Sequence, residues 1–280
     1  MIDRSPVRLA TFNVLHGRVP GDDGSPVAVE PLVEAVAALD AEVTVLQELD
    51  RRQPRSGRTD QARVVAEALG VADWRYASAF HARARPGRSW ARARTAPGLR
   101  VYGPPGTGPG GELPSHGIAL LSRLPVRHWR ARRLAEPPVA AVLPATGRAG
   151  LRVVRDHPRV ALAAVLEGRR GPFTAVALHL SFVPGWNVRQ LLAVRSWIED
   201  LPRPHVLLGD LNLPGRVPAA VLGRDWCGTA RTPTFPAHRP RLQLDHVLTS
   251  GLGPHGPLPP VRVPRPTVSD HLPLVVELPL

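Results

Sequence analysis

Residues 206–212, Val206-Leu207-Leu208-Gly209-Asp210-Leu211-Asn212, form an apolar run that ends in a carboxylate and, two residues later, a carboxamide. A short, continuous apolar run predicts a buried strand, and Gly209 permits a sharp turn or a close approach of the substrate at its end. There an Asp can hold or deprotonate a water, and a nearby amide can donate to a phosphate oxygen. The same Asx pair also closes turns, so the segment alone fits either interpretation.

Polar side chains that can do chemistry stand at or after several other apolar runs. They are Asn13, Glu48, His179, Asp245 and the pair Asp270-His271. Because sheet proteins gather active sites at strand ends from distant parts of the chain, these positions are candidates for one shared site. A histidine beside one carboxylate, with a second to orient its other nitrogen, suits acid–base work. Each position also has a structural interpretation: a surface turn for Asp270-His271, a surface carboxylate for Glu48, a core histidine for His179.

The pattern of apolar residues predicts a mixed architecture. Helices are expected at 29–39, 60–69 and 188–198, and strands at 9–15, 43–46, 117–121, 126–134, 160–166, 173–178, 205–208, 244–248 and 274–278. Strand 126–134 is expected to pair with strand 117–121. Because βαβ units alternate with runs of adjacent strands, the class is α/β or α+β. No linker divides the polar positions, so we expect one domain over 1–280, with loop insertions at about 81–114 and 135–150.

Composition excludes several classes of protein. With 43% hydrophobic and 21% charged residues, the chain is not generally disordered. The single cysteine, Cys227, excludes an internal disulfide framework and a multi-cysteine zinc site. The sequence contains neither an apolar run long enough to span a membrane nor a recognisable secretory signal, so a cytoplasmic location is expected.

The charge is strongly positive and carried entirely by arginine. Arginine accounts for all 36 basic residues, lysine is absent, and the net charge is +13. Such a charge suits a polyanionic partner. It also follows from a compositional bias toward Arg, Ala, Pro and Gly, so it favours an anionic substrate without choosing one.

Taken together, the motifs resemble the endonuclease/exonuclease/phosphatase superfamily of metal-dependent hydrolases. The segments that carry the resemblance are Thr11-Phe12-Asn13, Gln47-Glu48-Leu49-Asp50, Gly117-Ile118-Ala119-Leu120-Leu121-Ser122-Arg123, Gly209-Asp210-Leu211-Asn212 and Ser269-Asp270-His271. They span almost the entire chain. The resemblance implies a four-layer αββα sandwich, in which two packed mixed β-sheets are flanked by helices and the site lies at one sheet end.

The resemblance also implies a metal site. Glu48 would bind Mg²⁺ or Mn²⁺, with waters completing the shell, because magnesium uses few protein ligands. Asp270 would lie close to the metal. Asn13 would stand beside both the metal and the scissile phosphate.

The catalytic roles follow from the same resemblance. Asp210 would orient and deprotonate the attacking water. Asn212 and His179 would hold phosphate oxygens and stabilise the developing charge. His271 would contact the phosphate from the opposite side, oriented by Asp245.

Two departures bear on the branch of the superfamily. Deoxyribonuclease I-like members carry a carboxylate at the position of Ile118 to support the histidine aligned with His179, and Ile118 cannot do so; Glu112 is nearby in sequence. Exonuclease III-like repair enzymes carry a tyrosine in place of His179 and a tryptophan-containing segment where this chain has 232–236. The pattern is most similar to the short bacterial metal-dependent hydrolases of the superfamily.

Arginines near the motifs bear on the substrate. Arg52 and Arg55 follow Glu48 closely and are candidates for substrate binding, and several arginines flank Trp90 in the segment 81–114. Arginine with an interleaved aromatic suits a nucleic-acid strand. A solvated, arginine-biased loop explains the same residues. The other histidines and Cys227 are expected to be structural.

These observations favour a divalent-metal-dependent phosphodiesterase that uses in-line attack of water, with nucleic acid slightly favoured as substrate. The alternatives are a phosphodiesterase or phosphatase acting on a phospholipid head group or a small phosphate ester, and a non-catalytic nucleic-acid or phospholipid binder. A binder has no need of both a metal ligand and a water-activating Asp. No obligate protein partner is expected.

Overall fold

The computed structural model describes residues 5–21, 27–84, 90–92, 98–107, 109, 111, 113–144, 151–252 and 260–280. Most of their strands form two sheets. The first contains β1 (Val7–Asn13), β2 (Val43–Arg51), β3 (Asp73–Arg83), β4 (Ala91–Arg92), β5 (Val101–Tyr102), β6 (Ser115–Ser122) and β15 (Leu274–Leu278). The second contains β7 (Val126–Arg133), β10 (Val160–Gly168), β11 (Gly171–His179), β12 (His205–Asp210), β13 (Trp226–Gly228) and β14 (Asp245–Ser250).

Both sheets mix parallel and antiparallel pairs. The first has the order β15-β1-β2-β6-β3-β4, with β5 also paired to β3, and the second has the order β13-β14-β12-β11-β10-β7. β1 is parallel to β2, and β11 is parallel to β12, whereas their outer neighbours β15 and β14 run antiparallel. The parallel pairs bring the C-terminal ends of four central strands to the site.

Among the described residues, four α-helices cover the outer faces of the sheets. They are α1 (Glu30–Ala37), α2 (Gln61–Ala68), α3 (Trp186–Trp197) and α4 (Val217–Leu222). Residues of α1 and α2 share an apolar cluster with the first sheet, and residues of α3 and α4 share one with the second. A third cluster fills the space between the sheets. The predicted four-layer αββα sandwich is therefore confirmed.

The apolar run of β12 follows from burial on both faces. Val206 and Leu208 belong to the cluster between the sheets, whereas Leu207 belongs to the cluster under α3 and α4. Successive side chains of a strand point to opposite faces, so a strand covered on both sides needs apolar residues at every position. This packing fixes where the strand ends and hence where Asp210 stands.

The expected pairing of strand 126–134 with strand 117–121 is wrong. β7 pairs antiparallel with β10, in the other sheet. The two edges of β6 are already occupied, by β2 on one side and β3 on the other, so β6 has no edge left for a third partner. The turn after β6 therefore carries the chain from one sheet to the other.

Several elements were not predicted. β3 contains the buried aromatic residues Trp74, Tyr76 and Phe80, but Ala77 and Ser78 are buried as well and the pairing with β6 shifts register between Ser78 and Phe80, so no regular period-two pattern marks this strand. β4 and β5 lie within the segment 81–114, and α4 and β13 follow β12. β8 (Ala141–Pro144), inside the expected insertion 135–150, pairs with β9 (Leu151–Val154). The rest of these two segments lies partly outside the described residues.

Candidate active site

A pocket of about 340 Å³ opens where the ends of both sheets meet. Eight of the residues proposed from the sequence line it: Asn13, Glu48, Arg55, His179, Asp210, Asn212, Asp270 and His271. Asp245 lies directly behind His271, and its side chain is fully buried. Arg52 does not line this pocket. The fold therefore gathers residues from positions 13 to 271 around one cavity.

Strand register explains this convergence. His179 and Asp210 are the last residues of the parallel strands β11 and β12 and stand directly opposite each other. Asp245, the first residue of β14, stands opposite Asp210 on its other side. On the first sheet, Asn13 ends β1 beside Gln47 of β2. Each polar side chain is thus placed by a neighbouring strand.

Glu48 lies inside β2, not after it as expected. The pairing of β2 with β6 shifts register between Leu46 and Leu49, and Glu48 has a φ of 61° at that bulge. Bulges of this kind redirect a side chain out of the regular alternation. The Glu48 side chain consequently lies in the pocket beside Asn13, which donates from Nδ2 to Glu48 Oε1 at 3.3 Å.

Gly209 serves the packing of two strands. An added Cβ would lie 1.9 Å from the Leu178 carbonyl oxygen, and φ is 155°. The close approach at Gly209 is therefore to the backbone of β11, whereas the sequence had suggested a sharp turn or an approach of the substrate. Gly209 allows β12 to present the next residue, Asp210, to the pocket.

Asp210 is the centre of the polar network. Its Oδ2 accepts a hydrogen bond from Asn13 Nδ2 at 3.1 Å, and its Oδ1 accepts one from the Asn212 backbone N–H at 3.0 Å. His179 Nε2 and His271 Nε2 lie 3.5 and 3.8 Å from Oδ2. Burial, opposed by the charge of His271, raises the pKa of Asp210 to about 6. This carboxylate is ionised at neutral pH and remains basic enough to accept a proton.

His271 is held as an imidazolium. Burial lowers its pKa, but Asp245, whose Oδ2 lies 2.8 Å from Nδ1, and Asp210 raise it to about 10. The ring also packs against Phe235, with centroids 4.8 Å apart. At neutral pH the pocket therefore contains a fixed positive charge next to Asp210.

His179 has the opposite character. Burial holds the pKa of His179 well below its usual range, so its imidazole is neutral. Ile118 is apolar and buried and offers no carboxylate, while Glu112 lies outside the described residues. Among the described residues, the carboxylate in contact with His179 is Asp210. A neutral ring here can donate one hydrogen bond from the nitrogen that carries its proton.

Asn212 is positioned by its own turn. Its φ is 49°, a conformation that Asn tolerates better than most residues. Its Nδ2 donates to the Leu180 carbonyl at 3.0 Å, and its carbonyl accepts from Asn187 Nδ2 at 2.9 Å. The Asx turn that the sequence offered as one interpretation is therefore present, and Asn212 also lines the pocket.

Glu48 and Asp270 suit a divalent cation. Both are partly exposed in the pocket, and the charge of Glu48, together with burial, raises the pKa of Asp270. For Glu48, burial raises the pKa, but the electrostatic effect of His116, Arg159 and other basic neighbours lowers it overall. Oxygen ligands of like charge that face one cavity are typical of magnesium and calcium sites, where the cation relieves their repulsion.

A second group could hold a metal by distance alone. Ligand atoms of Asp210, Asp245 and His271 lie within 4.8 Å of one another. However, Asp245 occupies Nδ1 of His271, and an imidazolium has no lone pair to offer. These three residues are better suited to proton chemistry, and Glu48 with Asp270 to the metal.

Several pocket residues were missed by the sequence analysis. His16, His116, His157 and Arg159 line the cavity, although the histidines had been expected to be structural. Buried Asp50 holds Arg55 through two hydrogen bonds of 2.7 and 2.8 Å. The available signal was the position of Asp50 and His116 next to motif residues; nothing in the sequence marked residues 157–159.

Comparisons with known proteins agree with this geometry. A profile of the Endonuclease/Exonuclease/phosphatase family matches residues 10–271. An endonuclease/exonuclease/phosphatase from Beutenbergia cavernae is 21% identical, with a TM-score of 0.65 over 98% of this chain and 71% of that one. A family protein from Bacteroides thetaiotaomicron is 16% identical, with a TM-score of 0.62 over 98% of both chains. The mannosyl-6-phosphatase of that organism is 15% identical, with a TM-score of 0.60 over 97% of this chain and 98% of that one.

Comparison with curated proteins gives no match. In the part of the chain that the structure describes, the helices are too short and too polar to cross a membrane.

Proposed function

Because the chain belongs to the endonuclease/exonuclease/phosphatase family, whose members are metal-dependent phosphate-ester hydrolases, we propose that it hydrolyses a phosphate ester by in-line attack of water. The observation that carries this proposal is the set of polar groups that surround the Asp210 carboxylate. One carboxylate with a raised pKa contacts Asn13 and lies within 4 Å of two histidines of opposite protonation state. Groups whose environments push their pKa values apart are typical of acid–base catalysis.

Asp210 is the general base of the proposed reaction. It accepts a proton from the attacking water as the new bond to phosphorus forms and the bond to the leaving oxygen breaks. Asn13 and the Asn212 N–H hold the carboxylate in place. A base with a pKa near 6 is mostly ionised at pH 7, which general-base catalysis requires.

The other residues stabilise the charge that develops on the phosphate. The His271 imidazolium and the neutral His179 ring flank Asp210, and the Asn212 amide lies at the same pocket wall. Each donor aimed at a developing negative charge contributes about 3 kcal/mol in comparable sites. Asp245 keeps His271 charged and oriented.

Glu48 and Asp270, with Asn13 beside them, are the proposed ligands of Mg²⁺ or Mn²⁺. When bound, the cation supplies Lewis-acid stabilisation of the phosphate oxygens. Magnesium retains several waters and needs few carboxylates, which suits a site with two.

The pocket favours a small phosphate ester as substrate. Its volume is near the lower end of the range of volumes of ligand pockets. The pocket is lined by the rings of Phe80, Trp90 and His157. Trp90, a candidate stacking platform for a nucleic-acid base, instead packs edge-on with Phe80 and donates to His157 at 3.1 Å. Arg55 is the proposed substrate-binding arginine, whereas Arg52 stands outside the cavity.

Nucleic acid is the second candidate substrate, cleaved at a phosphodiester. The net charge of +13 favours it, because phosphate contacts dominate nucleic-acid affinity. A cytoplasmic location and the absence of an obligate protein partner remain predictions from the sequence.

The test is hydrolysis of p-nitrophenyl phosphate, bis(p-nitrophenyl) phosphate and plasmid DNA with Mg²⁺, Mn²⁺ or EDTA. Asp210→Asn should lose turnover on every ester that the wild type cleaves. The matched control is Asp225→Asn, which changes an exposed carboxylate outside the pocket. Metal-independent activity, or equal activity of the Asp210 variant, contradicts the proposal. Cleavage of plasmid but neither small ester selects the nuclease.

A further inference from the structure

One wall of the pocket is built from residues that the proposed reaction does not use. Arg55, Trp90, His116, His157 and Arg159 also line the cavity, and none of them belongs to β12 or β14. We call this set the distal wall. Its residues come from the loop after β2, from β6 and from the segments before β4 and β10.

Asp50 fixes two residues of the distal wall. It has no exposed surface, and it accepts hydrogen bonds from Arg55 Nε and Nη2, from His116 Nδ1 at 2.8 Å and from Ser56 Oγ at 3.2 Å. Burying a carboxylate is strongly unfavourable unless such partners surround it. Because both oxygens are engaged, Asp50 acts on the pocket through Arg55 and His116, as a positioning residue.

The distal wall leaves polar atoms available to a ligand. Within the described part of the chain, Arg55 Nη1, His116 Nε2 and His157 Nδ1 make no hydrogen bond, and none of them is sealed from solvent. Trp90 Nε1 donates to His157 Nε2 at 3.1 Å, so the proton of a neutral His157 is on Nδ1. The wall thus offers polar atoms that can form hydrogen bonds with a ligand at fixed positions.

The charges of the distal wall are balanced. Arg55 is paired with Asp50 at 2.7 Å, and Arg159 is paired with Asp156 at 2.7 Å. Recognition of a second phosphate needs cations that are not already neutralised. Among the described residues, the distal wall therefore offers fixed polar atoms next to the Phe80 and Trp90 rings, and both of its arginines are paired with carboxylates. Such a surface matches neutral hydroxyl groups on a partly apolar ring or chain.

We propose that the distal wall binds the leaving group of the substrate and selects a hydroxyl-rich alcohol, such as a monosaccharide or another polyol, esterified to a single phosphate. The inference rests on the proposed hydrolysis, since it assigns the substrate class of the same pocket. It is contradicted by a preference for a bisphosphate or for an aryl ester without hydroxyl groups.

The experiment compares two variants with the wild type. His157→Leu removes one hydrogen-bonding side chain and leaves the Asp50 network intact, and Arg55→Lys keeps a cation on Asp50 but loses the guanidinium fork. His128→Leu, the same replacement at an exposed position of β7, is the matched control. Rates are measured with hexose and pentose monophosphates, a hexose bisphosphate and p-nitrophenyl phosphate.

The wild type should hydrolyse at least one sugar monophosphate. For that substrate, each pocket variant should lower kcat/KM about tenfold, mainly through KM, because one lost hydrogen bond corresponds to about that factor. In His157→Leu the rate on p-nitrophenyl phosphate should stay within about twofold, because that ester has no hydroxyl group to bind. The control should change neither rate.

Three results overturn the inference while leaving the proposed function standing. They are an equal loss on sugar and aryl esters, a selective loss on the bisphosphate, and a wild type that cleaves the aryl ester but no sugar phosphate. If His157→Leu does not fold, His157→Ala decides the same question. A wild type that hydrolyses no phosphate ester with either metal overturns both proposals.

Discussion

His271 Nδ1 lies 2.8 Å from Asp245 Oδ2, although Asp245 begins a strand of one sheet and His271 precedes the last strand of the other. The contact joins the two sheets at the pocket and places a charged imidazole beside Asp210. An imidazolium of this kind persists because a fully buried carboxylate compensates it.

Replacing Asp245 with Asn should therefore change the charge of His271. Without the carboxylate, the pKa of His271 should fall from about 10 toward its ordinary value. We expect kcat to fall about 100-fold at pH 8, because the positive charge beside the phosphate is lost. NMR titration of the His271 ring checks the cause. An unchanged His271 titration would show that Asp245 is not what holds the charge.

The pH dependence of the wild type should be bell-shaped. Activity needs Asp210 ionised and His271 protonated, so it should rise as pH increases through about 6 and fall as pH increases through about 10. The measurement is kcat/KM for p-nitrophenyl phosphate at constant metal concentration. In Asp245→Asn the alkaline limb should move to lower pH while the acid limb persists. An alkaline limb at the same pH in both proteins would argue against His271 as its source.

Metal binding should depend on Glu48. If it holds the cation, Mg²⁺ or Mn²⁺ at 100 times its Kd should stabilise the wild type by about 2.7 kcal/mol. Glu48→Gln should lose most of that stabilisation in a thermal melt, independently of any activity. Glu199→Gln, an exposed carboxylate on the α3 side, is the control and should retain it. Equal stabilisation of the Glu48 variant would remove it from the ligand set.

Gly209 should resist substitution for a steric reason. In Gly209→Ala the new Cβ would meet the Leu178 carbonyl oxygen, so β11 and β12 must separate or distort. We expect a loss of about 3 kcal/mol in the free energy of unfolding by urea titration. Gly223→Ala has a φ of 95° but no atom within 4 Å of its Cβ, and it should lose about 1 kcal/mol from backbone strain alone. Equal losses in the free energy of unfolding of the two variants would mean that backbone strain, and not the steric contact with Leu178, explains the effect of Gly209→Ala.

Asp50 should make stability depend on pH in the acid range. Burial raises its pKa, but hydrogen bonds from Arg55 and His116 hold that pKa well below its usual range in the folded protein. Its contribution is therefore complete above about pH 4, the ordinary Asp value, and is lost as pH falls below that value. Asp50→Asn should be destabilised by about 3 kcal/mol at pH 7. Its unfolding free energy should also fall less than that of the wild type between pH 5 and pH 3.

The sequence by itself determined the layers of the fold. Continuous apolar runs such as 206–208 predict strands buried on both faces, and amphipathic segments such as 188–198 predict covering helices. The first polar residue after an apolar run also predicts where a buried strand ends. For this reason Asp210 and His179 could be proposed as site residues from the sequence. These patterns involve residues that are close together in the sequence, so they can be recognised without knowledge of the tertiary structure.

Only the tertiary structure decided which strands are neighbours and what surrounds each side chain. β7 pairs with β10 in the second sheet because β6 has no free edge in the first. Glu48 lies in the pocket because of a bulge that depends on the register of β2 against β6. The distal wall could not be predicted from the sequence for the same reason. Asp50, His116 and His157 carry no periodic signal, and they meet only because three separate loops and strands converge. The pKa values of Asp210 and His271 likewise depend on burial and on charged partners far along the chain. Neither the burial of a side chain nor its neighbours can be read from the linear sequence, because folding creates both.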